Sequence, residues 1–157
     1  MTVARKALAG LTTIAAGLGL ALATTGTAAA AAADSGSWHA YGNTNPITSS
    51  PATWHCAGSK AIATNVLAQV CAIRSVGGGA VQGAVIVRNN QSGLFSVSAR
   101  MDLYTSSGTG LGIWTCASSG VAANSWSVCF GKTLAQSGAV NSMGIAKGVN
   151  LGTSPNV

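Results

Sequence analysis

The fold turns on positions 81 to 104, where VQGAVIVR (Val81–Arg88) and LFSVSARMDLY (Leu94–Tyr104) flank NNQSG (Asn89–Gly93). In the first run Val81, Gly83, Val85 and Val87 alternate with Gln82, Ala84, Ile86 and Arg88. In the second, Phe95, Val97, Ala99, Met101 and Leu103 alternate with Ser96, Ser98, Arg100, Asp102 and Tyr104. Both runs have the two-residue period of half-buried strands, and the Asn, Ser and Gly between them form a turn composition. A five-residue hairpin with Arg88 opposite Leu94 would set Val87 beside Phe95, Val85 beside Val97 and Val81 beside Met101 on one face. A slip of one residue would place every apolar side chain against a polar one, so the expected pairing is this hairpin.

Further strands extend on both sides. After Ser106-Ser107-Gly108-Thr109-Gly110, the stretch Leu111–Ala117 and then Ser125–Phe130 read as strands joined by the loop Ser118–Asn124, with Leu111, Ile113, Trp126, Val128 and Phe130 as the expected core set. The alternation of Met143, Ile145, Lys147 and Val149 suggests a closing strand. Upstream, Thr53–Cys56 is short and aromatic, and Val66–Ile73 is apolar without a helical stripe, ending in the breaker run Gly77-Gly78-Gly79. About seven antiparallel strands at this spacing predict an all-β fold, a single small β-sandwich of immunoglobulin-like or Greek-key type.

Cys56, Cys71, Cys116 and Cys129 complete that expectation. No two of them have the close spacing of a zinc ligand pair, and an even number leaves no spare thiol for a nucleophile. Sequence separation favours Cys56–Cys71 and Cys116–Cys129, each closing a loop worth about 3 kcal/mol in the chain-entropy model. The second is expected to tie its hairpin together on the face opposite the core.

The first 33 residues read as a secretory signal. Arg5 and Lys6 form a basic start, Ala7–Ala23 is apolar, and Ala28–Ala33 offers A-x-A cleavage sites near Ala30 to Ala33. Gly10, Gly17 and Gly19 interrupt the stretch, which favours a cleaved leader over a membrane anchor, and no membrane association is expected after cleavage. Residues 34–51, rich in Ser, Asn, Gly and Pro, form an extended arm or edge strand, and 52–157 the disulfide-stapled domain. An exported chain of this kind is expected outside the cell.

Over the full 157 residues, 48% are hydrophobic and 6% charged, with eight Lys/Arg against two acidic residues. Arg5 and Lys6 leave with the signal, so six cations face Asp34 and Asp102, a net of +4. Glycoside hydrolysis in its usual form needs two carboxylates flanking the bond, and Asp34 stands in the first residues of the mature chain. A Ser-His-Asp triad could draw only on Asp102 with His39 or His55, and no G-x-S-x-G elbow accompanies them. Two histidines without an acidic neighbour make no metal site, and no phosphate loop or dense basic cluster points to a cofactor or a nucleic acid. Asn90-Gln91-Ser92 matches a glycosylation triplet within the expected turn. The Ala-rich leader, charge-poor composition and two cysteine pairs resemble in style the small exported proteins of high-GC Gram-positive bacteria, a likeness that carries no functional motif.

Two functional readings remain. In the first, the chain is a secreted, non-catalytic binding module for cell-wall polymer, polysaccharide or another extracellular protein, using Trp38, His39, Tyr41, Trp54 and His55, because aromatic faces with Asn and Ser edges serve both sugar and protein recognition. In the second it inhibits a secreted hydrolase by presenting the loop Ser118, Ser119, Gly120, Val121, Ala122, Ala123 and Asn124, braced by Cys116 and Cys129.

Overall fold

A computed structural model describes residues 32–157. The expected leader therefore lies almost wholly outside the described residues. Among the described residues every regular element is a strand: β1 (Asp34–Ser35), β2 (Ser37–Gly42), β3 (Thr53–Cys56), β4 (Lys60–Ala63), β5 (Val66–Arg74), β6 (Ala80–Asn89), β7 (Phe95–Thr105), β8 (Gly110–Val121), β9 (Ser125–Phe130), β10 (Leu134–Ala135), β11 (Val140–Ala146) and β12 (Val149–Thr153). They form a β-sandwich of two sheets. One has the order β1-β8-β7-β11-β12, and the other β2-β9-β6-β5-β3, with β4 added to β5 and β10 to β6. All pairings are antiparallel except the two-residue β1–β8 bridge.

The Val81–Tyr104 stretch does form two strands with one shared apolar side, but they do not pair. β6 pairs β5 and β9 in the larger sheet, whereas β7 pairs β8 and β11 in the smaller one. The segment after Asn89 therefore carries the chain across the sandwich instead of closing a hairpin. Val81, Val85 and Val87 meet Phe95, Val97, Met101 and Leu103 face to face through the core. Alternation specifies which side of each strand is buried, and packing across two sheets satisfies it as fully as lateral pairing does. The distinction is written in Ala84 and Ile86, which are buried on the opposite side of β6. A strand covered on both faces belongs in the middle of a sheet, whereas β7 keeps one face in water.

Asn89 fixes this crossing. It is fully buried, and its Nδ2 donates to the carbonyls of Gly93 (2.8 Å), Val121 (3.0 Å) and Ala122 (3.1 Å), while its Oδ1 accepts from Gln91 N (2.9 Å). One side chain thus joins the β6–β7 crossing to the β8–β9 crossing.

The second hairpin expected from the sequence is also a crossing. β8 lies in the smaller sheet and β9 in the larger, so the Cys116–Cys129 bond links the two sheets through the core, with both sulfurs buried. The cysteines thus take the phase opposite to the expected one, although Val128 is buried as expected and Leu111 packs against the inner core. Trp114, Cys116, Ser127 and Cys129 are buried, whereas Leu111, Ile113, Trp126 and Phe130 are only half-buried. The space for Trp114 comes from Gly131, where an added Cβ would stand 2.7 Å from the indole. Cys56–Cys71 joins directly opposed residues of β3 and β5.

The alternating stretch near the C-terminus is a hairpin of two strands. Lys147 and Gly148, both at positive φ, make the turn between β11 and β12. Met143 and Ile145 face outward on β11, and Ser142, Gly144 and Ala146 face the core.

Candidate functional site

The larger sheet carries a second apolar cluster on its outer face. Cys71, Ile73, Ala84, Ile86 and Val128 are buried there, with Tyr41, Ile47, Ala52, Trp54, Trp126 and Phe130 packed over them. Strand order explains the cover. β2 and β3 are opposite edges of this sheet, so the connection 43–52 must cross its outer face, and it does so as a strap whose Ile47 and Ala52 press on the cluster. Asn45 shapes the strap by accepting the Ile47 N–H on its Oδ1 (3.0 Å) and the Ser49 N–H on its carbonyl (3.2 Å).

Around the strap the outer face is aromatic. Phe130 meets His39 edge to face, with centroids 5.6 Å apart and planes at 76°, and meets Trp54 at 6.0 Å and 67°. Tyr41 occupies a bulge in β2 and turns to the same side. At the end of the sheet where β2 stops, the Arg88 guanidinium lies over the Trp126 ring, 5.2 Å from its centroid. Three neutral acceptors hold it there: Nε donates to Asn90 Oδ1 (2.7 Å), and Nη1 to Asn43 Oδ1 (2.9 Å) and the Asn124 carbonyl (3.0 Å).

The five aromatic and histidine candidates from the sequence therefore divide. His39, Tyr41 and Trp54 share the outer face. Trp38 turns inward and closes the sandwich edge, its Nε1 donating to the Ala117 carbonyl of β8 (2.8 Å). His55, on β3, donates from Nδ1 to the Asn156 carbonyl. Trp126, Phe130 and Arg88 join the outer face although the sequence reading placed the two aromatics in the core. The signal available was Cys129: once it points inward to Cys116, its neighbours Val128 and Phe130, and Trp126 two residues further back, must point outward.

The expected loop Ser118–Asn124 is mostly strand. Ser119, Gly120 and Val121 of β8 pair Val97, Ser96 and Phe95 of β7, and only Ala122–Asn124 connect β8 to β9. Leu94 lies against this segment, within 3.0 Å of where a Cβ on Gly120 would stand.

The outer face of the smaller sheet is the more open one. A cleft of about 200 Å³ is lined by Arg100, Asp102, Met143, Gly144, Ile145 and Asn150. Arg100 donates from Nε (2.9 Å) and Nη2 (3.0 Å) to the two Asp102 oxygens. These hydrogen bonds and the carboxylate charge raise the guanidinium above its already high ordinary pKa. The other carboxylate, Asp34, pairs with Lys132 at 3.6 Å. Among the described residues, no group of three or more His, Cys, Asp or Glu side chains gathers where it could hold a metal, and no helix is long and apolar enough to cross a membrane.

Comparison with protein-family profiles and with curated protein sequences finds no match to this chain.

Proposed function

We propose that this domain is a secreted, non-catalytic recognition module that binds an acidic partner protein through the outer face of the seven-stranded sheet. The observation that carries this reading is the set of His39, Tyr41, Trp54 and Phe130 on this face, with Trp126 at its end beneath an Arg88 that no carboxylate neutralises. Aromatic residues and Arg are the types enriched in the cores of protein interfaces and among their energetic anchors. Stacking on sugars would call for open ring faces, whereas here Phe130 and Trp54 meet edge to face and Arg88 covers Trp126. The charge balance favours an acidic partner, because six cations of the mature chain face two carboxylates, each already paired. Two disulfides imply an oxidising environment, in line with the secretory pattern of the leader.

The distribution of titratable groups supports a non-catalytic role. His39 and Asp102 lie on the outer faces of opposite sheets, and His55 is engaged with Asn156. The inhibitor reading is weaker, because strand pairing holds Ser119–Val121 flat and leaves only Ala122–Asn124 to present.

The test is retention by the immobilised domain, wild type against His39→Glu. A discrete secreted protein should be retained by the wild type and lost from the variant, with none of the domain itself sedimenting with peptidoglycan, chitin or cellulose. Co-sedimentation with any of these polymers, or a partner indifferent to His39→Glu, would overturn the proposal.

A further inference from the structure

The outer face of the smaller sheet carries a pattern that maps onto its opposite under a half-turn. The register sets Asp102 of β7 beside Met143 of β11 and Ile113 of β8, and Arg100 beside Ile145 and Thr115. Two rows therefore cross the sheet on either side of the buried Met101 and Gly144, and their side chains alternate with that buried row, so they face outward. Met143 and Ile145 are each 41% exposed there. The next rows hold Tyr104 with Asn141 at one end and Ser98 with Lys147, whose N–H donates to the Ser98 carbonyl, at the other. A rotation of 180° about an axis running across the strands between the two inner rows exchanges them. In a second copy laid face to face by that rotation, Arg100 falls opposite Asp102, Met143 opposite Ile145, and Lys147 opposite Asn141. No cation of these rows meets a cation.

We infer that this face is a self-association surface whose partner is a second copy of this chain, packed sheet to sheet about a twofold axis. An isologous interface needs one patch that is complementary to itself. A cationic position and an anionic one at equal distances from the axis, each flanked by an apolar side chain, meet that condition. Charge selects this face over the other. Both acidic side chains of the sequence lie on strands of the smaller sheet, Asp34 on β1 and Asp102 on β7, each paired with a cation. Lys60, Arg74 and Arg88 lie on strands of the larger sheet, where no strand carries an acidic side chain. Two larger sheets would meet with like charge, whereas two smaller ones meet with opposite charges in register. The cleft of about 200 Å³ beside Arg100, Asp102, Met143 and Ile145 gives the facing side chains room to interdigitate. Four strands about 4.8 Å apart, with about 3.4 Å per residue, offer roughly 500–600 Å² per copy, against about 800 Å² in a standard interface, so the dimer is weak and concentration-dependent. It leaves the aromatic faces of the two larger sheets pointing away from each other and presents both at once.

Self-association stands apart from the recognition reading, and its test needs no other protein. In analytical ultracentrifugation of the domain from about 1 μM to about 1 mM, the mean mass should rise from one copy towards two, with a midpoint on the order of 0.1 mM for an interface of this size. Arg100→Asp makes both central positions acidic and Asp102→Arg makes both basic, and each variant alone should raise the midpoint at least about tenfold. Mixed in equal amounts, the two variants should associate again as a heterodimer, because each like-charged pair then meets its opposite. Near-ultraviolet dichroism checks that each is folded. Should either fail to fold, Ile145→Lys, at an exposed position, should raise the midpoint several-fold by removing the apolar contact with Met143 of the facing copy. A wild type that stays monomeric to about 1 mM, a midpoint indifferent to these substitutions, or no recovery on mixing the two charge variants would each overturn the inference. So would a different secreted protein whose retention is lost on Asp102→Arg, since the face would then belong to that partner.

Discussion

Replacing Asn89 with Asp changes one atom of a fully buried side chain and should convert a pH-indifferent position into a pH-sensitive one. The native amide nitrogen feeds the carbonyls of Gly93, Val121 and Ala122. A protonated carboxyl offers one O–H in place of two N–H donors, while its other oxygen still accepts from Gln91 N. The loss in acid is therefore about 1 kcal/mol, the worth of one hydrogen bond. An ionised carboxyl would face three carbonyl oxygens in the dry interior, so the folded state holds it protonated well above the usual carboxylate range. The unfolded chain releases its proton near pH 4. Below that pH both states are protonated and stability does not change with pH. Above it the unfolded state gains by ionising, and the variant loses about 1.4 kcal/mol per pH unit. Between pH 4 and 7 this adds as much as about 4 kcal/mol, a large share of the 5–15 kcal/mol typical of a domain. Urea unfolding of wild type and Asn89→Asp at pH 4, 5.5 and 7 measures it, with the exposed carboxylates cancelling in the difference. A difference that stays flat across that range would refute the assignment of Asn89 as a buried donor to three carbonyls.

Three other perturbations test the remaining framework. Removing the core disulfide as Cys116→Ala with Cys129→Ala should cost at least about 3 kcal/mol in chemical unfolding, the loop-closure contribution alone for a closed loop of this length, and an unchanged midpoint would contradict a bond between the sheets. Gly131→Ala places a methyl 2.7 Å from the Trp114 ring and should destabilise by about 1–3 kcal/mol with a change in near-ultraviolet dichroism; a neutral result would mean that the indole has room to move. A double-mutant cycle on Arg100→Ala and Asp102→Ala should return less than about 1 kcal/mol, because the arginine is well exposed, and a larger coupling would show that the cleft shields the pair from water.

The strands were legible in the sequence because alternation reports burial directly. Val66–Ile73 and both halves of Val81–Tyr104 are strands, and the two cysteine pairs are those favoured by separation. Partnership was not legible. Alternation looks the same whether Val87 meets Phe95 beside it or across a core, and only Ala84 and Ile86, apolar on the nominally polar phase of β6, mark it as a central strand. The same ambiguity inverted the phase of β8 and β9, since Leu111, Ile113, Trp126, Val128 and Phe130 form a more hydrophobic set than Trp114, Cys116, Ser127 and Cys129. The sulfur bridge goes against that count, because here both cysteines are buried between the sheets. The candidate site followed the same rule. His39, Tyr41 and Trp54 could be noticed as residue types, whereas the position of Arg88 over Trp126 depends on the register between β6 and β9, which neither strand states alone.

The two crossings joined by Asn89 also govern how this chain reaches its structure. Strands adjacent in sequence, β6 with β7 and β8 with β9, end in different sheets, so much of the pairing must wait for distant segments to meet. Chains dominated by such non-local contacts fold over milliseconds to seconds rather than microseconds, and expose unpaired edges meanwhile. The Cys116–Cys129 bond shortens that search once formed, because it keeps β8 and β9 close to each other before either sheet is complete.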